Sequence, residues 1–481
     1  MQILHSRRRR SVLAHVAAVS ALVLAAQLLA LSFTNPGPGP RTPGGASSFG
    51  VSSPGHAGSR PGSAGRPSHE VQGTTSQKAG VLAMIAAICV AFLAPPAELS
   101  QVWPSHIEPA NARQAISTGA GDKVNRDPIS LLQLAIPLEE LLGQNEVKAV
   151  RELQKEMEGA KQAAVTKDFE RGQGETTNVL EFLTSREKDL LKPFDESRKA
   201  QAKAVKDELE AELKALIKAE KKAKKLDEAA VEKVAEVAIK CQQLVGKFEE
   251  LMVPPSYQPK IPKDYKNYPV LNGRATIQIT LAKGPKSDKE EFILEKGTFP
   301  EVNLKLVVDG YSAPVSAGAF VELINKGFYN GMEIQRSDGF IIQTGDPGPE
   351  QGNGYIPEGG KYVRNLPLEV GIRGRKEGPL YGETIDEARM VGSLAKTPFQ
   401  ADGTLSWARK EFENDSASSQ WFLFLFDSDM TPAGKNFLDG RYSSFGYVVE
   451  GQEWMRKTSE GDIVKNMKVL DGMDNYKPPS S

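Results

Sequence analysis

The apolar residues of this chain change their period once, and the change falls on a short run of prolines. Before Pro254 they recur every three or four positions; after Tyr268 they alternate with polar residues. A period of 3.6 buries one stripe of a helix, whereas a period of two buries one face of a strand. The two halves therefore belong to different secondary-structure classes, joined by a segment suited to neither.

Between Asp127 and Met252 the sequence is rich in Ala, Glu, Lys and Leu, with little Gly or Pro. Val147, Val150, Gln154 and Met157 share one helical face, and Val205, Leu209, Leu213 and Leu216 share another. The longest stripe is Val231, Val234, Ala238, Cys241, Val245, Phe248 and Met252, whose steps of three and four suit a bundle seam. Asp227 is placed to cap that last helix and Pro254-Pro255 to stop it. Four or five helices are expected. The stripes read as core, and charged runs such as Lys221 to Lys225 read as solvated faces. Nothing in this half carries chemistry, which leaves it a mechanical or regulatory part: a surface that docks partners or covers the next domain.

Pro254 to Tyr268 reads as an extended connector. Strand signals follow at Ala275 to Leu281 and Val302 to Val308, with a turn at Asp309-Gly310. Pro314 opens a helix through Ala319, Phe320, Leu323 and Ile324, and Gly327 ends it. Further strands are expected at Gly339 to Gln343, Val391 to Ala395, Trp421 to Phe426 and Phe445 to Val449. Many short strands with abundant glycine suggest a closed antiparallel barrel. The fold class is α+β multidomain: an N-terminal helical bundle, then a closed antiparallel β-barrel with flanking helices.

The first 112 residues read as a targeting leader in three parts. Arg7 to Arg10 precede an apolar run from Ser11 to Phe33, a signal peptide or membrane helix. Thr34 to Lys78 is Gly, Pro, Ser and Arg with almost no acid, matching a plastid transit peptide. A second apolar run, Ala79 to Ala94, leads to an A-x-A cleavage pattern at Ala110-Asn111-Ala112. Signal, transit and second signal in series fit a thylakoid-lumen protein of a plastid bounded by extra membranes. Two membrane spans joined by a disordered linker are the alternative. The expected boundaries are a leader over 1–112, a helical bundle over 113–253, a linker over 254–270, a second domain over 271–473 and a tail over 474–481.

All five histidines (His5, His15, His56, His69, His106) precede Arg113. A chain starting there has no Ser-His-Asp or Cys-His catalysis and no imidazole-based zinc site. Cys89 lies in the second apolar run and Cys241 on a helix face, so no internal disulfide survives removal of the leader. No cofactor or metal is expected. Eight of the 60 basic and three of the 61 acidic residues precede Arg113, leaving 52 and 58. That acidic balance argues against a nucleic-acid surface.

Three blocks in the second half then carry a resemblance. Phe328-Tyr329-Asn330-Gly331, Gln335-Arg336, Gly339-Phe340, Gln343 and Gly345-Asp346 form the first. Ser419-Gln420-Trp421-Phe422 is the second; Phe437-Leu438-Asp439-Gly440-Arg441-Tyr442 with Phe445-Gly446 is the third. In this order they resemble the active strands of the cyclophilin-type peptidyl-prolyl isomerases. Asp309-Gly310-Tyr311 to Phe320, Tyr329 to Pro347 and Glu411-Phe412-Glu413-Asn414-Asp415 to Gln420 are similar to the large lumenal cyclophilins of chloroplasts, which also carry an N-terminal helical domain. The resemblance implies X-Pro peptide segments as substrates and a role in photosystem II assembly and maintenance. Lumen-exposed photosystem II subunits would be the partners, with a contact between the two domains and a mature form that does not span the membrane.

Prolyl rotation needs no nucleophile or base. Its barrier of about 18–20 kcal/mol is amide resonance. A donor to the prolyl nitrogen favours the pyramidal form that exists only once resonance is lost. The resemblance makes Arg336 that donor, a group that stays charged and presents a rigid fork. Phe340, Ile341, Phe422 and Leu438 would line the proline socket, with Phe437 and Tyr442 at its edge, and Gln343 and Gln420 would hold the substrate backbone. Phe437 and Tyr442 stand where many cyclophilins have tryptophan and histidine, and Gln335 replaces another histidine. Ala395-Lys396 stands where Ala-Asn is usual, adding a long cation at the groove, and the stretch Thr397 to Ser418 is long enough to cover it. Two functions remain open: an isomerase, or a catalytically weak binding factor whose groove the helical domain caps. A membrane-tethered scaffold is a third.

Overall fold

The computed structural model describes residues 125–224, 228–294, 297–425 and 436–479. All belong to one compact unit within Ser105–Ser481. The leader, the expected cap Asp227 and the end of the strand expected at Phe426 lie outside the described residues.

Seven helical segments precede the prolines among the described residues: α1 (Pro128–Ala135), α2 (Leu138–Leu142), α3 (Gln144–Val165), α4 (Phe169–Ser185), α5 (Glu187–Leu191), α6 (Glu196–Ala223) and α7 (Glu228–Met252). Only α3, α4, α6 and α7 are long, at 22, 17, 28 and 25 residues. Aspartates set the starts. The Asp127 carboxylate accepts the Ser130 amide of α1, with Pro128 in the first turn, and Asp168 and Asp195 accept amides of α4 and α6. Each satisfies a donor that the first turn would otherwise leave orphaned. The apolar residues of the three predicted stripes are buried together in one core, with Val231 only partly covered. Among the described residues no helix is long and apolar enough to cross a membrane.

The second half is a curled eight-stranded antiparallel sheet. Its strands are β1 (Arg274–Ala282), β2 (Glu301–Asp309), β3 (Arg336–Ser337), β4 (Ile341–Thr344), β5 (Thr404–Trp407), β6 (Trp421–Phe424), β7 (Ser444–Glu450) and β8 (Ile463–Asp471). Their spatial order is β8-β1-β2-β7-β5-β6-β4-β3. The two ends of the sheet meet. Glu333, just before β3, bridges Ile463 of β8, and the Gly331 and Ile334 amides donate to the Val464 and Asp462 carbonyls at 2.7 Å. A helix over Pro314–Asn325, α8, plugs the interior: Phe320 lies 5.4–5.8 Å from the rings of Tyr329, Trp407, Trp421 and Phe445. Gly327 ends it at φ +66°, a conformation that favours glycine.

Three expectations need correction. Val391 to Ala395 is not a strand; Ala395 makes only an isolated bridge to Ile372. The stretch Thr397 to Ser418 is no simple cover, because it contains β5, with Trp407 in the core. All four β5 residues are buried. Thr404-Leu405-Ser406-Trp407 alternates polar and apolar, but at four residues it is the shortest pattern that carries a strand signal. The nine-residue β8 was not anticipated either. At the domain's edge, Val270–Leu271 pairs with Tyr476–Lys477, so the last residue read as linker and two residues read as tail join the ladder at the start of the second domain.

The two halves pack on each other. Ile129, Leu131 and Leu132 of α1 bury against Ala401, Tyr447 and Val449, with Val307 beside them. Arg274 of β1 fixes the seam: its Nε donates to Asp309 at 2.7 Å, Nη1 to Glu250 of α7 at 2.8 Å, and Nη2 to the Leu132 carbonyl. Arg151 of α3 binds Glu139 at 2.7 Å and buried Glu249 at 2.9 Å.

Candidate functional site

β3, β4 and β6 lie side by side. Arg336 is opposite Gln343, and Gln343 is opposite Phe422. Residues directly opposite in a ladder project from the same face, so these three form a row. Ile342 and Leu423, the alternate residues, point into the barrel core. The row therefore lies on the outer face.

Phe422 is the centre of a separate outer cluster. It is buried with Phe399 and Phe424, and Ile341, Ala408, Leu438 and Tyr442 pack around them. The Phe399 ring stacks on Phe422 at 6.1 Å, and Tyr442 meets Phe422 edge-on at 5.8 Å. Asp439 links two sides of the cluster, accepting the amides of Phe399 at 2.7 Å and Asn436 at 3.0 Å. Burial raises its carboxyl above the usual range, although these two amides oppose the shift.

Arg336 is 54% exposed, and its Nε and Nη2 grip Asp338 at 2.6 and 2.5 Å. The other Asp338 oxygen accepts the amides of Phe340 and Ile341 at 3.0 and 3.1 Å. One carboxylate thus caps the 338–341 turn and orients the guanidinium. Burial alone would raise the Asp338 pKa, but the two amides and Arg336 together hold it below its ordinary value. Nη1 of Arg336 has no partner among the described residues. Phe340 stands exposed at the turn's tip, where its carbonyl accepts the Leu425 amide at 2.6 Å. Gln343 Nε2 donates to Gln420 Oε1 at 2.9 Å, and Gln420 Nε2 to the Asn353 carbonyl at 3.2 Å. Gly345, at φ +95°, passes so close to the Ser419 carbonyl that a Cβ would sit 2.4 Å from it.

Of the residues singled out in the sequence, Arg336, Gln343 and Phe422 share the row, Ile341, Leu438 and Tyr442 surround Phe422, and Gln420 joins through Gln343. Phe437 is exposed beside Leu438. Ala395 does not join them. It is buried beside Ile372, and the alanine in the cluster is Ala408. The following residue is Arg409, whose guanidinium lies 4.9 Å from the Tyr442 ring centroid. The signal was present in the alternation Thr404-Leu405-Ser406-Trp407, which runs into Ala408, but without β5 it had no place in the sheet. Phe399 and Asp338 were also missed. Lys396 is not a groove cation: its Nζ pairs with Glu140 of α2 at 3.2 Å. Among the described residues, hydrogen bonds and ion pairs from the helical half reach Arg274, Gly374 and Lys396, not the Arg336–Gln343–Phe422 row. No cluster of three or more His, Cys, Asp or Glu side chains that could hold a metal is found among the described residues.

Residues 293–474 match the family described as cyclophilin type peptidyl-prolyl cis-trans isomerase/CLD. The chain is 35% identical over 359 residues to the chloroplastic peptidyl-prolyl cis-trans isomerase CYP38 of Arabidopsis thaliana, covering 74% of this chain and 76% of that protein. It is 35% identical over 381 residues to the Synechocystis protein sll0408, named for the thylakoid lumen and for peptidyl-prolyl cis-trans isomerase activity, covering 78% and 91%. An alignment of 381 residues is longer than the stretch from Leu271 to the C-terminus, so the likeness extends into the helical half. The chloroplastic CYP37 of Arabidopsis thaliana is 32% identical over 223 residues, 46% of this chain and 44% of that protein. With the outer-face row in place and nearly all of a lumenal relative matched, the chain belongs to the cyclophilin-type peptidyl-prolyl cis-trans isomerases, in their multidomain lumenal branch.

Proposed function

We propose that this protein catalyses cis–trans isomerisation of X-Pro bonds in protein segments exposed to the thylakoid lumen, and that it serves photosystem II assembly and maintenance. The observation that carries the chemistry is the in-register row of Arg336, Gln343 and Phe422 on one outer face. A proline ring rests over Phe422 at the rim formed by Ile341, Leu438 and Tyr442 while Gln343 and Gln420 bind the flanking backbone. The exposed Nη1 edge of Arg336 donates to the prolyl nitrogen as it becomes pyramidal. That interaction exists only once resonance is lost, so it lowers the barrier instead of merely tightening binding. Uncatalysed rotation takes roughly 10–100 s at 25 °C, which leaves room for a modest donor to matter. The three-part composition of the leader supports a plastid bounded by extra membranes as the location; the N-terminus of the protein isolated from its organelle tests this, and a start far from Arg113 would remove it.

A second reading, a peptide-binding assembly factor of low activity, is favoured by one contact. Asp338 already occupies two of the three Arg336 nitrogens. Exchange broadening of an X-Pro peptide, recorded with the full chain and with Arg336→Ala, separates the two. Broadening that disappears in the variant supports catalysis. Identical spectra from both, with binding retained, leave only the docking role.

A further inference from the structure

We infer that Arg409 is a specificity-determining residue that selects X-Pro segments carrying a carboxylate within two residues of the proline. The inference rests on the groove reading above and deepens it. Ala408 packs into the Phe399–Phe422–Phe424 cluster, which holds the next residue at the edge of the socket. The Arg409 guanidinium lies 4.9 Å from the centroid of Tyr442, and Tyr442 meets Phe422 at 5.8 Å. One ring therefore separates this cation from the ring proposed to receive proline.

Its hydrogen bonds orient the charge without cancelling it. Nε donates to the Arg441 carbonyl at 2.9 Å, and Nη1 donates to the carbonyls of Lys410 at 2.8 Å and Glu411 at 2.9 Å. A guanidinium has five N–H donors; three go to neutral oxygens, and those of Nη2 have no partner among the described residues. Three other cations of this domain are instead ion-paired: Arg441 with Asp386 at 2.8 Å, Lys410 with Glu413 at 2.9 Å and Arg336 with Asp338 at 2.5 Å. Glu387, whose carboxylate feels the Arg409 charge, is held by the Thr384 amide at 2.8 Å and the Asn414 side chain at 2.7 Å. Among the described residues no carboxylate forms an ion pair with Arg409.

The two N–H donors left on Nη2 can each give a charge-assisted hydrogen bond to a carboxylate. The Tyr442 face supports the cation from below. Water and salt limit its reach to about 8 Å at physiological ionic strength. An extended chain advances roughly 3.3–3.6 Å per residue, so two residues on either side of the proline is the range over which the charge can select.

Dye-labelled Gly-Glu-Pro-Phe-Gly, Gly-Gln-Pro-Phe-Gly and Gly-Lys-Pro-Phe-Gly, titrated against the full chain by anisotropy, test this. The Glu peptide should bind at least fivefold more tightly than the Gln peptide, and the Lys peptide most weakly. Arg409→Gln should reduce the Glu-to-Gln ratio below twofold, Arg409→Lys should keep part of it, and about 0.5 M salt should compress it in the native protein. Equal affinities for Glu and Gln peptides in the native protein overturn the inference, as does a ratio unchanged by Arg409→Gln. Should that variant not fold, the native ratio and its salt dependence still decide. Binding without charge preference removes this inference alone, whereas no binding of any peptide at millimolar concentration removes the groove reading with it.

Discussion

Arg274 and Arg336 each grip an aspartate from the barrel, one at the seam between the halves and one at the groove. Arg274 is 7% exposed and spreads its donors over Asp309, Glu250 and the Leu132 carbonyl. Arg336 is 54% exposed and gives two nitrogens to Asp338 alone. The same side-chain chemistry therefore serves two ends. Where the ion pair is dry, every guanidinium nitrogen has a partner and the arginine joins two bodies. Where it is wet, one edge stays open to a substrate. Burial and unspent donors, not residue type, separate a structural arginine from a reactive one.

The strongest way to break the comparison is to empty the seam. Arg274→Met leaves Asp309 buried without its partner, and losing one member of a buried pair costs about 3–5 kcal/mol. Urea unfolding should show that loss, while peptide affinity of the protein that remains folded should be unchanged. At the groove the pattern inverts. Arg336→Ala should lower the isomerisation rate by about 10²–10³, as loss of a preorganised donor does elsewhere. Its unfolding midpoint should barely move, because exposed ion pairs contribute about 0–1 kcal/mol. A large stability loss in this variant would erase the distinction.

Asp338→Asn sharpens it. Asparagine can still cap the 338–341 turn but holds the guanidinium loosely, so kcat should fall about 2–5-fold with KM little altered. Because the carboxyl is held below its ordinary value, the native-to-variant ratio should stay flat from pH 5 to 8. A ratio that climbs through pH 6 would assign the effect to another group.

Glu220 supplies the opposite case and the smallest effect. It is buried in the helical core, where desolvation pushes its pKa up to about 7 against the opposing Thr176 hydroxyl and Lys224. The folded state thus holds a proton that the unfolded chain releases near 4.5. The stability this proton confers is complete below 4.5 and fades as pH rises through 7. The urea midpoint should fall between pH 5 and 8 in the native protein and fall less in Glu220→Gln.

Helical stripes were legible because their burial is one-sided: Val205, Leu209, Leu213 and Leu216 repeat at the period of the element that buries them. So were β1 and β2, which alternate. β5 was missed because its alternation, Thr404-Leu405-Ser406-Trp407, lasts only four residues, and with it went the true neighbour of Phe422. The sequence pattern pointed to Ala395-Lys396; the sheet register points to Ala408-Arg409. Lys396, read as a groove cation, turned to Glu140 because α2 packs beside it, a contact between residues 256 positions apart.

Local information settled a great deal in this chain. The change of apolar period divided it into a helical and a β half. Aspartate caps and prolines set element ends, and the three motif blocks named the family and the residue Arg336. What the fold alone decided was which charges are spent. Whether an arginine meets a buried carboxylate, a turn carbonyl or open solvent depends on strands and helices far apart in sequence. That choice is a balance of desolvation against pairing, and only a three-dimensional arrangement of neighbours sets it.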